Sequence, residues 1–501
     1  MDACETGVHP MNFLPGENPD SPADWKPRLA RAIVLLFVGV LFLAVRLPGI
    51  ALRPVHTDEA INGYTVGKIL EGEPFRYDPK DYHGPSFIAL ATLVARVGGA
   101  HSLAEMDVRV LRWSAVVSGL MALAFVPLWA RSLGTPASLI FVVLLGLDPL
   151  SVYYGRYAIH ETLFVSATAG FLACLPGMIR RKTTAWALGA GLCAGLMLAT
   201  KETAVIPFVA AGVAAWTCLR EKEGGRWKAA GVFLGAAVLV IVLAFTWGLQ
   251  APRGLVDLVL AYPGYFVRAG GAGHEKPFFY YSTVLLAGKS GWLLVGLAVV
   301  GGLHAWRSAP AGAARFLSVY ALIVWLAYSA IPYKTPWLAL GIWLPLALLA
   351  ATALGARWNT HRAGTIVCIF VLLGFMGWDT RDLVFRNPVG ERNPFAYSHT
   401  QGDIERLPKD LEKLSAPLGH TPRIAVVADD PWPLPWYLRK VPQVGYWRPG
   451  DPMPRADFLI LDVGEANRLE SQMGGWRPHI YGQRPGVLLL LYSPPTNEAV
   501  P

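Results

Sequence analysis

The sequence predicts a polytopic α-helical membrane protein of about 11–13 transmembrane helices with a small C-terminal α/β soluble domain. Three observations carry that expectation. Of the 501 residues, 53% are apolar and only 16% charged, against about 25% charged in soluble globular domains. Twelve apolar segments fill the first 378 residues, at 31–47, 85–99, 108–130, 135–150, 160–179, 184–200, 203–219, 229–248, 283–304, 315–331, 335–354 and 363–378. Several approach the about 20 residues that span a bilayer as a helix. From residue 379 the pattern changes to a helix-like stretch at 402–414 and strand-like runs at 423–428, 457–462 and 487–492. Only helices satisfy their own backbone groups in hydrocarbon, so residues 30–378 should form a helical bundle. Residues 379–501 should form a separate α/β unit without a nucleotide-binding fingerprint.

The charge distribution orients the bundle. The net charge is +9, yet 14 basic and 15 acidic residues lie from 379 onward, so the whole excess sits in the apolar part. Basic loops between apolar segments set membrane orientation, and the excess needs no nucleic-acid partner. Arg180, Arg181 and Lys182, then Arg220, Lys222, Arg226 and Lys228, then Arg307 and Arg315, then Arg357 and Arg362 fall on alternate loops. These loops are expected on the cytoplasmic side, with the disordered leader 1–29. Loops 48–84 and 249–282 and everything after 379 are then extracytoplasmic. An inside start and an outside end require an odd number of crossings, so one segment among 85–99, 108–130 and 135–150 should fail to cross; 85–99 and 135–150 are the suspects. Five cysteines, four of them inside apolar runs, give neither a disulfide framework nor a metal spacing.

Residues with chemical potential gather at the outer ends of the segments. The first outer loop carries His56-Thr57-Asp58-Glu59-Ala60, and adjacent carboxylates suit proton abstraction or metal coordination. An acidic first turn of a helix would explain the same pair. Tyr77-Asp78-Pro79-Lys80-Asp81-Tyr82-His83-Gly84-Pro85 precedes the next segment, and Gly155-Arg156-Tyr157-Ala158-Ile159-His160-Glu161 opens another. Interfacial anchoring accounts for Arg156 but less well for Glu161, at the mouth of an apolar run. Lys201 and Lys334 each stand between two apolar segments on the face where cations are disfavoured, which a lipid-linked phosphate there would explain, as would interfacial pairing such as Lys201 with Glu202. His274-Glu275-Lys276-Pro277-Phe278-Phe279-Tyr280-Tyr281 adds cationic and aromatic groups.

These fragments, in this order, resemble the GT-C fold membrane glycosyltransferases of the dolichyl-phosphate-mannose-protein-mannosyltransferase-like group, which includes aminoarabinose transferases. His56 to Ala60 resembles the acidic first-loop motif, and His83-Gly84-Pro85 the following Lys-Pro-Pro. Gly155 to Glu161 resembles Gly-Arg-x-x-x-x-Asp with Glu in the last place. Leu198-Ala199-Thr200-Lys201 resembles Leu-x-x-Lys-Gly-Pro, departing at Glu202-Thr203. His274 to Tyr281 resembles His-x-x-Pro-Phe-Trp-Tyr-Tyr, and the stretch from Ser329 to Pro345 resembles Ser-x-x-Lys-x-x-x-Tyr-x-x-Pro. The aromatic Asp430 to Tyr437 run brings the pattern nearest to the flippase-activity-associated subfamily.

The resemblance implies an enzyme of the cell membrane that takes a sugar from a polyprenyl-phosphate or diphosphate donor and moves it to a protein, lipid or glycan acceptor outside. It implies Asp58, Glu59 and Glu161 as catalytic candidates. Lys201, Lys334, Arg156, Lys276 and His83 are implied as donor-phosphate contacts, and His56, Tyr82, His274, Tyr280 and Tyr333 as sugar or acceptor contacts. Asp58 and Glu161 would hold Mg²⁺ or Mn²⁺ if the chemistry uses a divalent cation. A lipid-linked-sugar flippase component or a non-catalytic accessory protein is the alternative, although ionisable residues clustered at segment ends favour one-sided chemistry. The C-terminal unit is expected to face the acceptor or act as a lid.

Overall fold

The computed structural model describes residues 25–80, 83–181, 183–219, 226–271, 273–307, 312–452 and 455–495. Most of the leader, Tyr82 and the loop cations Lys182, Arg220 and Lys222 lie outside them. Helix α1 (Trp25–Arg46) leads into α2 (Thr57–Leu70) and α3 (Ser86–Val97). Helix α4 (Val108–Met121) continues through a 3-10 turn into α5 (Val126–Leu133), and α6 (Thr135–Leu147) ends in the short α7 (Pro149–Tyr154). Then follow α8 (Glu161–Arg181), α9 (Thr184–Thr200), α10 (Val205–Cys218), α11 (Arg226–Phe245), α12 (Gly254–Ala269), α13 (Tyr280–Leu285), α14 (Gly288–Arg307), α15 (Gly312–Ala330), α16 (Ala339–Arg357) and α17 (Arg362–Thr380). Among the described residues, six stretches are long and apolar enough to cross a membrane: Val108–Leu133, Glu161–Arg181, Trp227–Phe245, Gly312–Ala330, Pro336–Arg357 and Arg362–Arg386. The chain is a membrane-embedded, polytopic helical protein.

Helix α3 is the segment that does not cross. Its 12 residues are only one fewer than the 13 of α6, so the contacts at its two ends, not its length, set it apart. At its start, the Gly84 N–H donates to the Thr200 carbonyl (3.1 Å) and the Ser86 and Thr200 hydroxyls meet at 2.7 Å. Just past its end, the Leu103 N–H donates to the Glu71 carboxylate (2.9 Å), and Arg439 of the C-terminal region donates to the Met106 carbonyl (2.9 and 3.1 Å). Both ends therefore lie on the side of the C-terminal domain. The other suspect, 135–150, does cross as α6. Ala137, near its start, packs on Gly355 near the end of α16. At its far end the Arg46 guanidinium binds the Leu145 and Gly146 carbonyls (2.9 and 2.8 Å), which a helix C-terminus leaves open. Eleven passes remain among the described residues: α1, α4 with α5, α6, α8, α9, α10, α11, α14, α15, α16 and α17.

Small residues let the helices approach closely. A Cβ at Gly191 would come within 2.3 Å of the Phe233 carbonyl oxygen, and one at Gly195 within 2.7 Å of that of Ala237, so α9 lies directly on the α11 backbone. The stretch read as loop 249–282 contains α12, whose Val259, Phe266 and Val267 are exposed while Leu258 and Ala261 are buried. Pro263 inside it and the outward apolar side hid it from a reading based on spans.

Beyond α17, a π-helical turn (Arg381–Arg386) leads to a strap, residues 387–400, lying over the end of the bundle. The C-terminal domain then folds as α18 (Leu407–Ser415), β1 (Ile424–Val427), α19 (Leu434–Tyr437), β2 (Val444–Trp447), β3 (Phe458–Asp462), α20 (Val463–Leu469), β4 (Arg477–Arg484) and β5 (Val487–Ser493). The sheet order is β2-β1-β3-β5-β4, with β1 parallel to β2 and β3, and β5 antiparallel to β3 and β4. Central β1 and β3 are buried on both faces and read as unbroken apolar runs. Leu407, Leu411, Leu434 and Leu438 cover one face, and Ala466 and Leu469 the other.

If α3 stays on one side, cysteines placed at Glu73 and His101, both exposed, should react with an impermeant thiol reagent from the same side as a cysteine at Glu412. The background would lack the native cysteines. Labelling of Glu73→Cys and His101→Cys from opposite sides would restore α3 as a crossing helix.

Candidate active site

The loop before α2 is held from three directions, and its construction decides which of the two adjacent acids is available. His56 is the N-cap of α2: its Nδ1 accepts the Asp58 N–H (3.1 Å), and its own N–H donates to Glu59 Oε2 (3.3 Å). This pattern assigns the ring proton to Nε2, which donates to the Tyr397 carbonyl of the strap at 3.2 Å. The Glu59 carboxylate is fully buried and accepts from Arg112 Nε and Nη2 (2.8 and 2.7 Å), the Ala158 N–H (2.9 Å) and the His56 N–H. All its acceptor positions are filled. Arg112 spends its remaining N–H groups on the Ile50, Arg53 and Pro54 carbonyls (2.8, 3.0 and 3.3 Å). Glu59 is therefore a structural anchor, which corrects the expectation of a catalytic acid there beside Asp58. The Asp58 side chain is 38% exposed, and His56 Nδ1 lies 4.0 Å from its Oδ1.

The other expected residues divide in the same way. Glu161, at the start of α8, and Lys201, between α9 and α10, form a buried ion pair at 2.5 Å, so the Lys201 charge is already matched. Arg156 is buried, donates to the Gly49 carbonyl and lies 4.5 Å over the Phe385 ring. Its role is to tie the 155–160 loop to the end of α1. The His83 ring lies 4.7 Å from the His160 ring, while a Cβ at Gly84 would come within 2.2 Å of the Ala199 carbonyl oxygen. The His83-Gly84-Pro85 motif thus seats directly on the end of α9. Burial, with Lys201 nearby, pushes His160 down to about 3, so it remains a neutral partner for that packing.

Lys334 and Lys276 sit on paired loops. Glu275 and Tyr333 form a β-bridge, and the Lys334 ammonium donates to the Lys276 and Ile331 carbonyls (3.0 and 2.5 Å). Burial lowers the Lys334 pKa from its ordinary value. The Lys276 ammonium lies 5.5 Å over the Tyr397 ring. Among the described residues, neither lysine has a carboxylate within ion-pair distance. His274 Nδ1 meets the Tyr397 hydroxyl at 2.6 Å, and its ring lies 4.8 Å from Tyr333. Burial, with Arg268 and Lys276 adding to it, holds His274 below the usual imidazole value.

Tyr333 lies among several of these charged groups. Burial raises its phenol, and the fields of Arg268, Asp58, Lys201 and Glu161 all reach it. Tyr280 lies near Tyr397 of the strap, whose field adds to burial in raising the Tyr280 phenol. Asp58, Glu161, Lys201, Lys276, Lys334, His56, His274 and Tyr333 are thus brought to one end of the bundle, while Glu59 and Arg156 point into its framework.

Residues absent from the expectation complete the surroundings. His56 is ringed edge-on by Tyr157, Trp337 and His399 at 5.4, 5.9 and 5.4 Å. Arg53 donates to the Arg156 carbonyl (2.8 Å) and lies over Tyr153 and Tyr157 (4.2 and 4.9 Å). Arg112 had a sequence signal, a cation inside the apolar segment 108–130. Tyr397, His399 and Thr400 had none, because they lie in an irregular strap.

The donor set does not suit the divalent cation considered from sequence. Glu161 is committed to Lys201, and no group of three His, Cys, Asp or Glu side chains gathers among the described residues.

Removing one partner of a buried ion pair costs about 3–5 kcal/mol, so Glu59→Gln should lower the melting temperature in detergent markedly. Burial alone would raise the Glu59 carboxyl, but Arg112 outweighs it and holds it below its ordinary 4.5. A depressed pKa contributes stability above the unfolded value and loses it as pH falls through the folded one. The gap between wild type and Glu59→Gln should therefore close below pH 4.5; equal melting at pH 7 would show that the pair is not an anchor.

Comparison with known proteins agrees with this architecture. Residues 83–248 match the dolichyl-phosphate-mannose-protein mannosyltransferase family. An undecaprenyl phosphate-alpha-4-amino-4-deoxy-L-arabinose arabinosyl transferase of Edwardsiella ictaluri is 28% identical over 288 residues, 53% of this chain and 50% of that protein. The chain thus matches about half the length of this curated relative. ArnT from Cupriavidus metallidurans in the apo state superposes with a TM-score of 0.65 at 13% identity, over 92% of this chain and 98% of that one. The same protein bound to undecaprenyl phosphate gives 0.62 over 94% and 98%, also at 13% identity. The oligosaccharyltransferase AglB from Archaeoglobus fulgidus gives 0.58 at 13% identity, over 95% and 75%. The chain therefore shares the fold of these membrane proteins.

Proposed function

We propose that this protein is a glycosyltransferase that moves a sugar from a polyprenyl-phosphate donor to an acceptor on the extracytoplasmic face of the cytoplasmic membrane. The observation that carries the reading is the half-exposed Asp58 carboxylate at the bundle end, with cationic loops beside it and its neighbour Glu59 withdrawn into a buried pair. The activities named for the arabinosyl transferase and the mannosyltransferase family support it, as does the undecaprenyl phosphate bound by the ArnT of similar fold.

In this reading Asp58 takes the proton of an acceptor hydroxyl as that oxygen bonds to the anomeric carbon of the donor. The carbon–oxygen bond to phosphate breaks, and the lipid phosphate leaves as an anion. Lys276 and Lys334 stabilise that leaving charge, because neither is already matched by a carboxylate. Electrostatic stabilisation of this kind is usually the largest catalytic contribution. The Glu161–Lys201 pair has no net charge to give and instead orients polar groups of the sugar. His56 sets the Asp58 backbone, while His274, Tyr280 and Tyr333 line the sugar and acceptor space. An apolar groove between α13, α14, α15 and α16, lined by Leu285, Leu286, Val299, Leu322 and Trp325, suits the polyprenyl tail, and its Trp325 meets Phe278, two residues beyond Lys276, at 5.6 Å. Residues 30–378 then form the lipid-handling domain and 379–501 the extracytoplasmic one.

The test is to supply purified protein in lipid nanodiscs with undecaprenyl phosphate carrying labelled aminoarabinose, mannose or glucose and to follow release of the lipid phosphate. General-base catalysis contributes about 10²- to 10⁴-fold. Asp58→Asn should therefore fold normally and cut release at least ~100-fold, whereas wild-type turnover in that variant would remove Asp58 from the chemistry. Lys276→Met should weaken binding of undecaprenyl phosphate by about 1.5 kcal/mol, the low end for a charge-assisted bond because the ammonium is half-exposed. Unchanged affinity would take Lys276 out of the phosphate site.

A further inference from the structure

We infer that the C-terminal α/β domain sets the Asp58 loop in place, with Tyr437 and Thr400 as positioning residues that act through the Val55 backbone. This rests on the reading of Asp58 above. Val55 is buried three residues before Asp58. Its N–H donates to the Tyr437 hydroxyl at 2.8 Å, and its carbonyl accepts the Thr400 hydroxyl at 2.7 Å. Among the described residues, no backbone group pairs with either of them. Both polar groups of Val55 thus depend on residues more than 300 positions away in sequence, and a buried backbone group left unpaired is costly. One residue on, His56 Nε2 donates to the Tyr397 carbonyl, and His56 Nδ1 takes the Asp58 N–H. The connection runs without a gap from the strap and α19 through Val55 and His56 to Asp58.

The domain is seated firmly enough to serve as that reference. Trp436, beside Tyr437, is buried against α2, where a Cβ at Gly63 would come within 2.5 Å of the indole. Arg439 lies 4.2 Å over the same indole and holds the Met106 carbonyl with two nitrogens. The Trp432 ring meets Tyr64 edge-on at 5.7 Å. The run from Asp430 to Tyr437 is therefore a wedge between α2 and the α3–α4 loop. A lid formed by this run would have to break these contacts at every cycle, so the run serves as a fixed wedge, and a fixed domain can still face the acceptor as expected from sequence.

The test uses the full chain in nanodiscs, and its first readout is independent of which sugar the donor carries. Hydrogen exchange should show the 53–58 segment about 10-fold less protected in Tyr437→Phe and in Thr400→Val, with β1 and β3 as protected as in wild type. Thr400→Ser, which keeps the hydroxyl, should restore protection. With a turned-over donor, the first two variants should lower kcat about 10-fold at an unchanged KM, and Tyr437→Phe should cost nothing further in an Asp58→Asn background. Unchanged exchange at 53–58 would overturn the inference, as would an equal loss of protection in β1 and β3, which would mean general destabilisation. Full turnover in Asp58→Asn alongside lost protection in Tyr437→Phe would instead sink the Asp58 reading and leave the clamp standing.

Discussion

The buried pair between Glu59 and Arg112 is the interaction on which the site depends. Two charges taken out of water are tolerated only when every donor and acceptor is answered, and here each is. Arg112 reaches from α4 into the loop after α1 and binds the Ile50, Arg53 and Pro54 carbonyls. Glu59 reaches back to Ala158 in the loop before α8. A single ion pair thus joins α4, the loop after α1 and the loop before α8. It also removes one of two adjacent acids from chemistry and leaves the other at the surface.

Around that anchor, charge is arranged so that matched and unmatched groups sit side by side. Glu161 and Lys201 neutralise one another in a buried contact. Lys334 is tied to backbone carbonyls rather than to an acid, and Lys276 lies over an aromatic face. Unmatched cations at a membrane surface suit an incoming phosphate, and a matched pair holds shape without attracting it. The aromatic ring around His56, drawn from the 155–160 loop, the 331–338 loop and the strap, shields the histidine that shapes the Asp58 backbone.

Much of the fold was legible because hydrocarbon imposes a strong pattern. The apolar segments correspond to helices, and central β1 and β3 appear as apolar runs. The pattern fails where burial is one-sided. Helix α12 exposes Val259 and Phe266 and contains Pro263, so it reads as loop. Strands β2 and β4 lie at the sheet edges with mixed burial, and polar residues such as His479 and Gln483 interrupt any apolar run.

By itself, the sequence determined the membrane bundle and the set of ionisable residues that meet at one end. Local composition specifies these properties, because each segment answers to the solvent around it. Only the tertiary structure decided which of those residues are available. Asp58 and Glu59 are neighbours in sequence, but successive side chains on a helix point about 100° apart. The one that turned inward met an arginine 53 residues away. Arg156 was likewise drawn into the framework by Gly49 and Phe385, and the Val55 backbone by Thr400 and Tyr437. Such pairings join residues from 53 to 382 positions apart, and no local pattern encodes a partner at that distance.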